Sequence, residues 1–329
     1  MAKKVLVTGI SGYLGQHVAA ELLRQGYQVV GSVRSIKKSE STATTLARVV
    51  DVDKLSFVEA DLLNSEGWSN AVNGCDFVIH VASPFVVAEP KNESDLITPA
   101  VEGTKNVVEA AKKAGVKRLV LTSSVVAIST GKPNGIYGPG DWVDTSANIG
   151  AYAKSKALAE HAAWDIVKDG VLEMVAINPG FILGPPLGSV GSGASETLIS
   201  DMIRGKVPMV PDVAMGMVDV RDVAKLHVAA LTATKANGKR FIAASSEPVE
   251  MAYVSQVLRE AGFKKVPSRK APSFAIKLMA LFDREAKGLI PQLGKKIGYD
   301  NHETIELLGW KPTPLEQTFT EMATAISGS

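Results

Sequence analysis

The stretch Val5-Leu6-Val7-Thr8-Gly9-Ile10-Ser11-Gly12-Tyr13-Leu14-Gly15 decides how the fold is read. Its apolar run is a short buried strand. From Leu14 to Leu23 apolar residues recur at helical spacing, and Gly26 ends that helix. Between strand and helix, Gly9 allows a tight turn, Gly12 lets backbone approach a pyrophosphate, and Gly15 lets helix and strand pack closely. The helix N-terminus adds unpaired N–H groups and the positive end of a dipole. The glycines follow G-x-x-G-x-x-G rather than the commoner G-x-G-x-x-G. The strand before them and the helix after them supply the context in which such a loop binds a dinucleotide.

Working outward, the spacing predicts strands over 28–33, 55–58, 77–81, 117–122 and 172–177, and a long helix over 97–114 closed by Gly115. Strands alternating with helices make a parallel sheet covered on both faces, and right-handed crossovers make it doubly wound. The character changes after Asn178. Segments 178–193 and 205–217 are rich in Gly, Pro and Met, and 129–150 is a similar Gly/Pro-rich stretch. Loops of that length usually serve function. From Glu250 onward the pattern is mostly helical with Pro punctuation. The expected organisation is a Rossmann-type α/β domain over 1–178 with about 218–245. A smaller, mainly helical substrate domain over 179–217 and 246–329 closes a cleft above it.

Composition narrows the function classes. Among 329 residues, 36 Lys and Arg nearly balance 34 Asp and Glu, giving +2, which removes the electrostatic case for a nucleic-acid or anionic-membrane binder. A hydrophobic share of 46% with 21% charged residues suits a globular protein with a sizeable core. Cys75 is the single cysteine, so neither an intrachain disulfide framework nor a multi-cysteine metal site exists. Five scattered histidines show no ligand spacing, and His80 reads as a strand residue beside the cleft, so no metal is expected. The N-terminal apolar run is too short for a signal-peptide core, and no window reaches membrane-span length. A cytoplasmic protein is the expectation.

Two constellations carry chemistry. At the end of the second strand come Arg34, Lys37 and Lys38, with no carboxylate. A carboxylate there binds the adenosine ribose of NAD, whereas a basic fork suits the 2′-phosphate of NADP. Asp61 and Leu62, after the third strand, can bracket the adenine. The second constellation is Tyr152-Ala-Lys-Ser-Lys156, which puts Tyr and Lys on one helix face. A nearby ammonium lowers a phenol's pKa, so Tyr152 can donate a proton to a carbonyl oxygen while Lys156 also holds the nicotinamide ribose. Thr122-Ser123-Ser124 ends a strand whose carboxyl end faces the ligand crevice. A hydroxyl there can donate to the same oxygen. Adjacent strand residues point oppositely, so only one serine can face it. No Gly-x-Ser-x-Gly elbow or Cys/His pair suggests covalent catalysis.

Together Gly9, Gly12, Gly15, the Ser–Tyr-x-x-x-Lys set and Asn178-Pro179-Gly180 resemble the extended short-chain dehydrogenase/reductases. His80-Val81-Ala82-Ser83-Pro84, Pro99-Ala-Val-Glu-Gly103-Thr104 and Asn178-Pro-Gly-Phe-Ile-Leu-Gly184-Pro185 resemble one branch. That branch holds dihydroflavonol 4-reductases, cinnamoyl-CoA reductases and yeast-type NADPH aldehyde/ketone reductases for methylglyoxal and isovaleraldehyde. The resemblance implies Ser124, Tyr152 and Lys156 as catalytic residues. It also implies an NADP surface of Gly9, Ser11, Gly12, Tyr13, Leu14, Gly15, Arg34, Lys38, Asp61, Leu62, Val81, Ala82, Ser83, Thr122, Tyr152, Lys156, Pro179 and Ile182. Candidate substrate-pocket residues are Phe85, Val86, Val126, Phe181, Met215 and Met217. Ser129 stands where plant dihydroflavonol reductases carry an Asn, which argues against a flavonoid. The implied activity is NADPH-dependent reduction of a small aldehyde or ketone by a monomer or homodimer. A hydroxysteroid or secondary-alcohol dehydrogenase is an alternative. A non-catalytic dinucleotide sensor is another, but sensors usually lose the Tyr-x-x-x-Lys pair that this chain keeps.

Overall fold

A computed structural model describes residues 2–84, 90–188, 193–272, 274 and 292–328, apart from the side chain of Lys38. The chain opens with β1 (Lys4–Thr8), α1 (Tyr13–Arg24), β2 (Gln28–Val33), α2 (Ser39–Ala47), β3 (Leu55–Glu59), α3 (Trp68–Val72) and β4 (Phe77–His80). It continues with α4 (Ser94–Lys113), β5 (Arg118–Thr122), α5 (Val126–Ser129), β6 (Gly135–Tyr137), α6 (Ala151–Val167), β7 (Glu173–Pro179) and β8 (Phe181–Leu183). Then follow α7 (Ala194–Arg204), β9 (Ala214–Met215), β10 (Met217–Asp219), α8 (Val220–Ala230), β11 (Arg240–Ala243), β12 (Val249–Glu250) and α9 (Met251–Glu260). The C-terminal part adds β13 (Ile297–Tyr299), α10 (His302–Leu308) and α11 (Leu315–Ser327).

Seven parallel strands form the central sheet in the order β11-β7-β5-β4-β1-β2-β3. The order reverses between β1 and β4, and ligands of open α/β sheets bind outside the strand ends at such a reversal. Period-two alternation divides the sheet between two cores. Val5, Val7, Ile79, Val120, Ile177 and Phe241 face α1 and α8. Leu6, Val78, Leu119, Leu121 and Met174 face α3, α4 and α6. Burial on both faces explains why these strands read as continuous apolar runs. A third cluster, with Leu183, Ile199, Met202, Val254, Phe319 and Met322, joins α7, α9 and α11 into a separate C-terminal core.

The differences from expectation lie where pairing is long-range. The long helix starts at Ser94, earlier than periodicity indicates, because Pro99 sits inside it and obscures its first turns. Within 129–150 the structure has β6, three residues paired in parallel with β13. So short a strand, with its partner near the far end of the chain, leaves no local period to read. The same holds for β8 with β10 and for β9 with β12. The C-terminal segment also returns to the sheet. The Thr304 hydroxyl donates to the Ile242 carbonyl at 2.8 Å, and Trp310 joins the α1–α8 core.

Candidate active site

The glycine loop is fixed by sterics. Gly9 has φ +68°, and a Cβ there would lie 2.9 Å from the Ala82 Cα. At Gly15 a Cβ would lie 2.1 Å from the Gly9 carbonyl oxygen, so α1 touches the loop backbone directly. A Cβ on Gly12 would meet only that same oxygen, at 3.3 Å, leaving its other side open. No side chain caps the α1 N-terminus, and its first turn holds no acid. An uncapped, unopposed helix start facing an open glycine fits an anionic pyrophosphate. The Ala82 N–H donates to the Thr8 hydroxyl at 3.0 Å, and that hydroxyl lies 2.7 Å from His80 Nδ1. This stitches β1 to the chain leaving β4. Burial pushes the His80 imidazole down to about 3, with the Lys156 charge adding to the effect.

Around the adenosine end, Arg34 is exposed just past β2. The Ile36 N–H donates to Glu59 Oε2 at 3.1 Å. A carboxylate therefore does stand beside the end of β2, but it comes from β3 and is engaged in shaping the turn after Arg34. Asp61 Oδ1 accepts the Leu63 N–H at 2.9 Å, and the Leu62 carbonyl accepts from Asn106 Nδ2 at 2.9 Å. These bonds fix the loop after β3 against α4. The Tyr13 hydroxyl donates to the Gly184 carbonyl at 2.6 Å, and His17 Nε2 donates to the Pro185 carbonyl at 3.1 Å. The start of α1 is thus tied to the segment after β8. Ile182 and Val81 pack partly buried against the α1–α8 core.

The candidate reacting groups converge at the carboxyl ends of β5 and β7. Ser124 and Tyr152 come close enough for the serine hydroxyl to act on the phenol. Ser124 Oγ is also 3.4 Å from the Pro179 carbonyl, and the Val126 N–H donates to it at 3.3 Å. Lys156, one turn after Tyr152 on α6, donates from Nζ to the Thr122 carbonyl at 3.3 Å. The two serines diverge: Ser123 Oγ donates away from Tyr152, to Glu160 Oε2 at 2.5 Å. Burial pushes the Tyr152 hydroxyl up to about 12, with the Ser124 hydroxyl opposing it. Burial pulls the Lys156 ammonium down to about 8, with Glu160 opposing. Tyr152 is therefore protonated at neutrality, and Lys156 is mostly charged.

Thr122 offers the cleft its carbonyl, because its hydroxyl lies 2.7 Å from His227 Nε2. The other ring nitrogen, Nδ1, sits 2.8 Å from the Val223 carbonyl and must donate to it, so Nε2 accepts from Thr122. Of the pocket candidates, Phe181 and Met215 are partly buried against the C-terminal core, Met217 lies within that core, and Val126 is partly buried beside Ala127. Phe85 and Val86 lie outside the described residues. Ser129 Oγ lies 2.8 Å from the Tyr299 hydroxyl. Among the described residues no group of His, Cys, Asp or Glu could hold a metal ion.

Residues 5–244 match the NAD dependent epimerase/dehydratase family. The chain belongs to that family. It is an oxidoreductase of the extended short-chain dehydrogenase/reductase kind. Among curated proteins, a cinnamoyl-CoA reductase of Medicago truncatula is 35% identical over 266 residues, 78% of each chain. A putative NADPH-dependent methylglyoxal reductase of Candida albicans is 29% identical over 98% of each. Among solved structures, a yeast methylglyoxal/isovaleraldehyde reductase in complex with NADPH superposes with a TM-score of 0.81 at 25% identity. That match covers 99% of this chain and 98% of the other. In this family member, reasoning from sequence missed Glu59 and the buried pair Glu160 and Arg240. Glu160 sits four residues beyond Lys156 on the same helix face, a spacing that could have drawn attention to it.

Proposed function

We propose that this protein is an NADPH-dependent carbonyl reductase acting on a small aldehyde or ketone, with Tyr152 as proton donor. The observation that carries the reading is the convergence of Ser124, Tyr152 and Lys156 at the strand ends beside the glycine loop. NADPH, when bound, supplies the hydride to the carbonyl carbon. Gly9, Gly12 and the α1 N-terminus hold its pyrophosphate, and Arg34 takes the 2′-phosphate. Tyr152 protonates the developing alkoxide, and Ser124 donates a second hydrogen bond to the same oxygen. Lys156 binds the ribose; the lowering of the phenol's pKa expected from its ammonium is not what the structure has, since burial raises it instead. A Tyr152 hydroxyl held at about 12 is in its acid form at neutrality, the form that reduction uses and alcohol oxidation does not.

The substrate side is proposed to be the unit over 179–217 and 246–329, of which 302–313 returns to pack on the sheet. Relatives named for aldehydes and for a cinnamoyl thioester support a carbonyl substrate without choosing between them. NADPH consumption measured with methylglyoxal, isovaleraldehyde, aromatic aldehydes, simple ketones and an acyl-CoA thioester, repeated with NADH, tests the reading. Turnover of at least one carbonyl with NADPH preferred is expected. No turnover of any, despite tight NADPH binding, would return the sensor alternative.

A further inference from the structure

Behind the reacting groups, side chains from three strand ends and one helix converge on a single carboxylate. Glu160 is 1% exposed and sits one turn beyond Lys156 on α6. Its Oε2 accepts from Ser123 Oγ after β5 and from Asn178 Nδ2 on β7 at 3.1 Å. Its Oε1 accepts from Arg240 Nε on β11 at 2.7 Å and from Trp164 Nε1 at 3.2 Å. Arg240 extends the hold. Its Nη1 donates to the Pro139 and Asp141 carbonyls at 2.8 and 2.6 Å, and its guanidinium lies 3.7 Å from the Trp142 ring centroid. Asn178 Nδ2 also donates to the Ser124 carbonyl at 3.2 Å. Ser124 is therefore fixed from two sides, through its neighbour's hydroxyl and through its own carbonyl, and both lines end on Glu160.

We propose that Glu160 is a positioning residue for the reaction: its negative charge steadies the Lys156 ammonium, and its hydrogen bonds fix the turn that aims Ser124 at Tyr152. The inference rests on the reading of Ser124, Tyr152 and Lys156 given above. The groups around Lys156 single out Glu160. On α6 itself are Tyr152 and Glu160. From β5 come the Thr122 carbonyl and Ser123, from β4 the neutral His80, and from α4 Thr104. Glu160 is the one carboxylate among these described neighbours, and Arg240 meets the carboxylate rather than the ammonium. A buried carboxylate kept with a full complement of donors is a fixed charge that needs no rearrangement during turnover.

The test compares wild type with Glu160→Gln and Glu160→Asp in two readouts. The first needs no activity: the pH midpoint for acetylation of Lys156 by acetic anhydride in the protein alone, read by peptide mass spectrometry. It should lie near 8 in wild type. It should fall by about one pH unit in Glu160→Gln, the low end of what one neighbouring opposite charge does, and lie between the two in Glu160→Asp. The second is the pH profile of kcat/KM. A midpoint lowered by that amount makes the Gln variant lose roughly fivefold more at pH 8 than at pH 6. If Glu160→Gln does not fold, Glu160→Asp carries the same test with a smaller shift in the same sense. Folded variants with an unmoved midpoint and a profile parallel to wild type would overturn the proposal and leave Glu160 a purely structural tie. If wild type reduces no carbonyl, the functional reading fails, while the acetylation midpoint still decides the inference.

Discussion

The two halves of the cleft are built in different ways. The cofactor half comes from consecutive residues, β1, the glycine loop and α1, resting on strands buried on both faces. The proposed substrate half is gathered from short pieces far apart in the chain: Phe181 on β8 beside Met217 on β10, and Met215 on β9 beside Val249 on β12. In the first half, backbone sterics at Gly9 and Gly15 dictate the geometry, and few other residues satisfy them. In the second, non-local side chains pack into the C-terminal core, and such packing can change without disturbing the sheet. The candidate reacting groups share the sheet of the first half, at the ends of β5 and β7 and on α6, but are brought together from distant parts of the chain as in the second. On the proposed reading, the division separates what the enzyme does from what it does it to.

The sharpest way to break that division is Tyr152→Phe. Removing the proposed proton donor while keeping the ring should lower kcat by 10²–10⁴-fold, the usual worth of general acid catalysis, with NADPH affinity largely kept. The loss should be of similar size for every carbonyl substrate. Steady-state kinetics on two chemically unlike substrates check this. A loss confined to one of them would mean that the substrate half takes part in the chemistry.

The same division governs what could be read from sequence. The glycine loop, the strand over 28–33 and the Tyr152/Lys156 pair were legible because each is a local pattern: a turn that needs small residues, a run with one period, two side chains on one helix face. Ser123 and Ser124 were legible as a pair; they do diverge, but both lie past the end of β5, where the expected strand alternation does not apply. The β6–β13 pairing was not legible, since three-residue strands carry no period. Nor was the Glu160–Arg240 pair, because β11 joins the sheet edge far from α6 in sequence and only folding makes the two residues neighbours. Glu59 escaped because the end of β2 is completed by β3. Pocket lining was the least legible part, because a Met or Phe in the C-terminal core looks the same in sequence as one facing a substrate.

Lys156→Met probes the cofactor half from the stability side. Lys156 is 8% exposed, and its pKa falls from 10.5 to about 8 on burial. The unfolded chain thus binds more protons between those values. Stability rises with pH across that window, and below about 8 the full penalty of burying the charge applies. Replacing the ammonium with an apolar chain of similar length relieves a penalty of up to about 3 kcal/mol at pH 7, less the lost bond to the Thr122 carbonyl. The variant should melt higher than wild type and turn over poorly. Its Tm should also lack the wild-type rise between pH 8 and 10.5. A lower Tm at pH 7 would mean that Lys156 holds the fold together rather than being held in place by it.

The smallest effect is expected where the cofactor half meets solvent. Arg34 is exposed at the end of β2, and the turn after it is shaped by Glu59. An exposed cation contributes little to an ordinary ion pair, about 0.2–1 kcal/mol. A guanidinium forked onto a doubly charged phosphate does somewhat better, because its bonds are charge-assisted and two-pointed. Arg34→Ala should therefore raise KM for NADPH roughly three- to tenfold, consistent with about 0.7–1.4 kcal/mol, and leave KM for NADH nearly unchanged. Since the interaction is solvent-exposed, the penalty should shrink as ionic strength rises past the point where screening lengths fall below about 10 Å. Measuring both cofactors at low and high salt separates the outcomes. Equal effects on NADPH and NADH would place Arg34 on the shared adenosine rather than on the 2′-phosphate. A salt-independent penalty would mean that Arg34 acts by stacking, and the discrimination would then have to come from another residue of this surface.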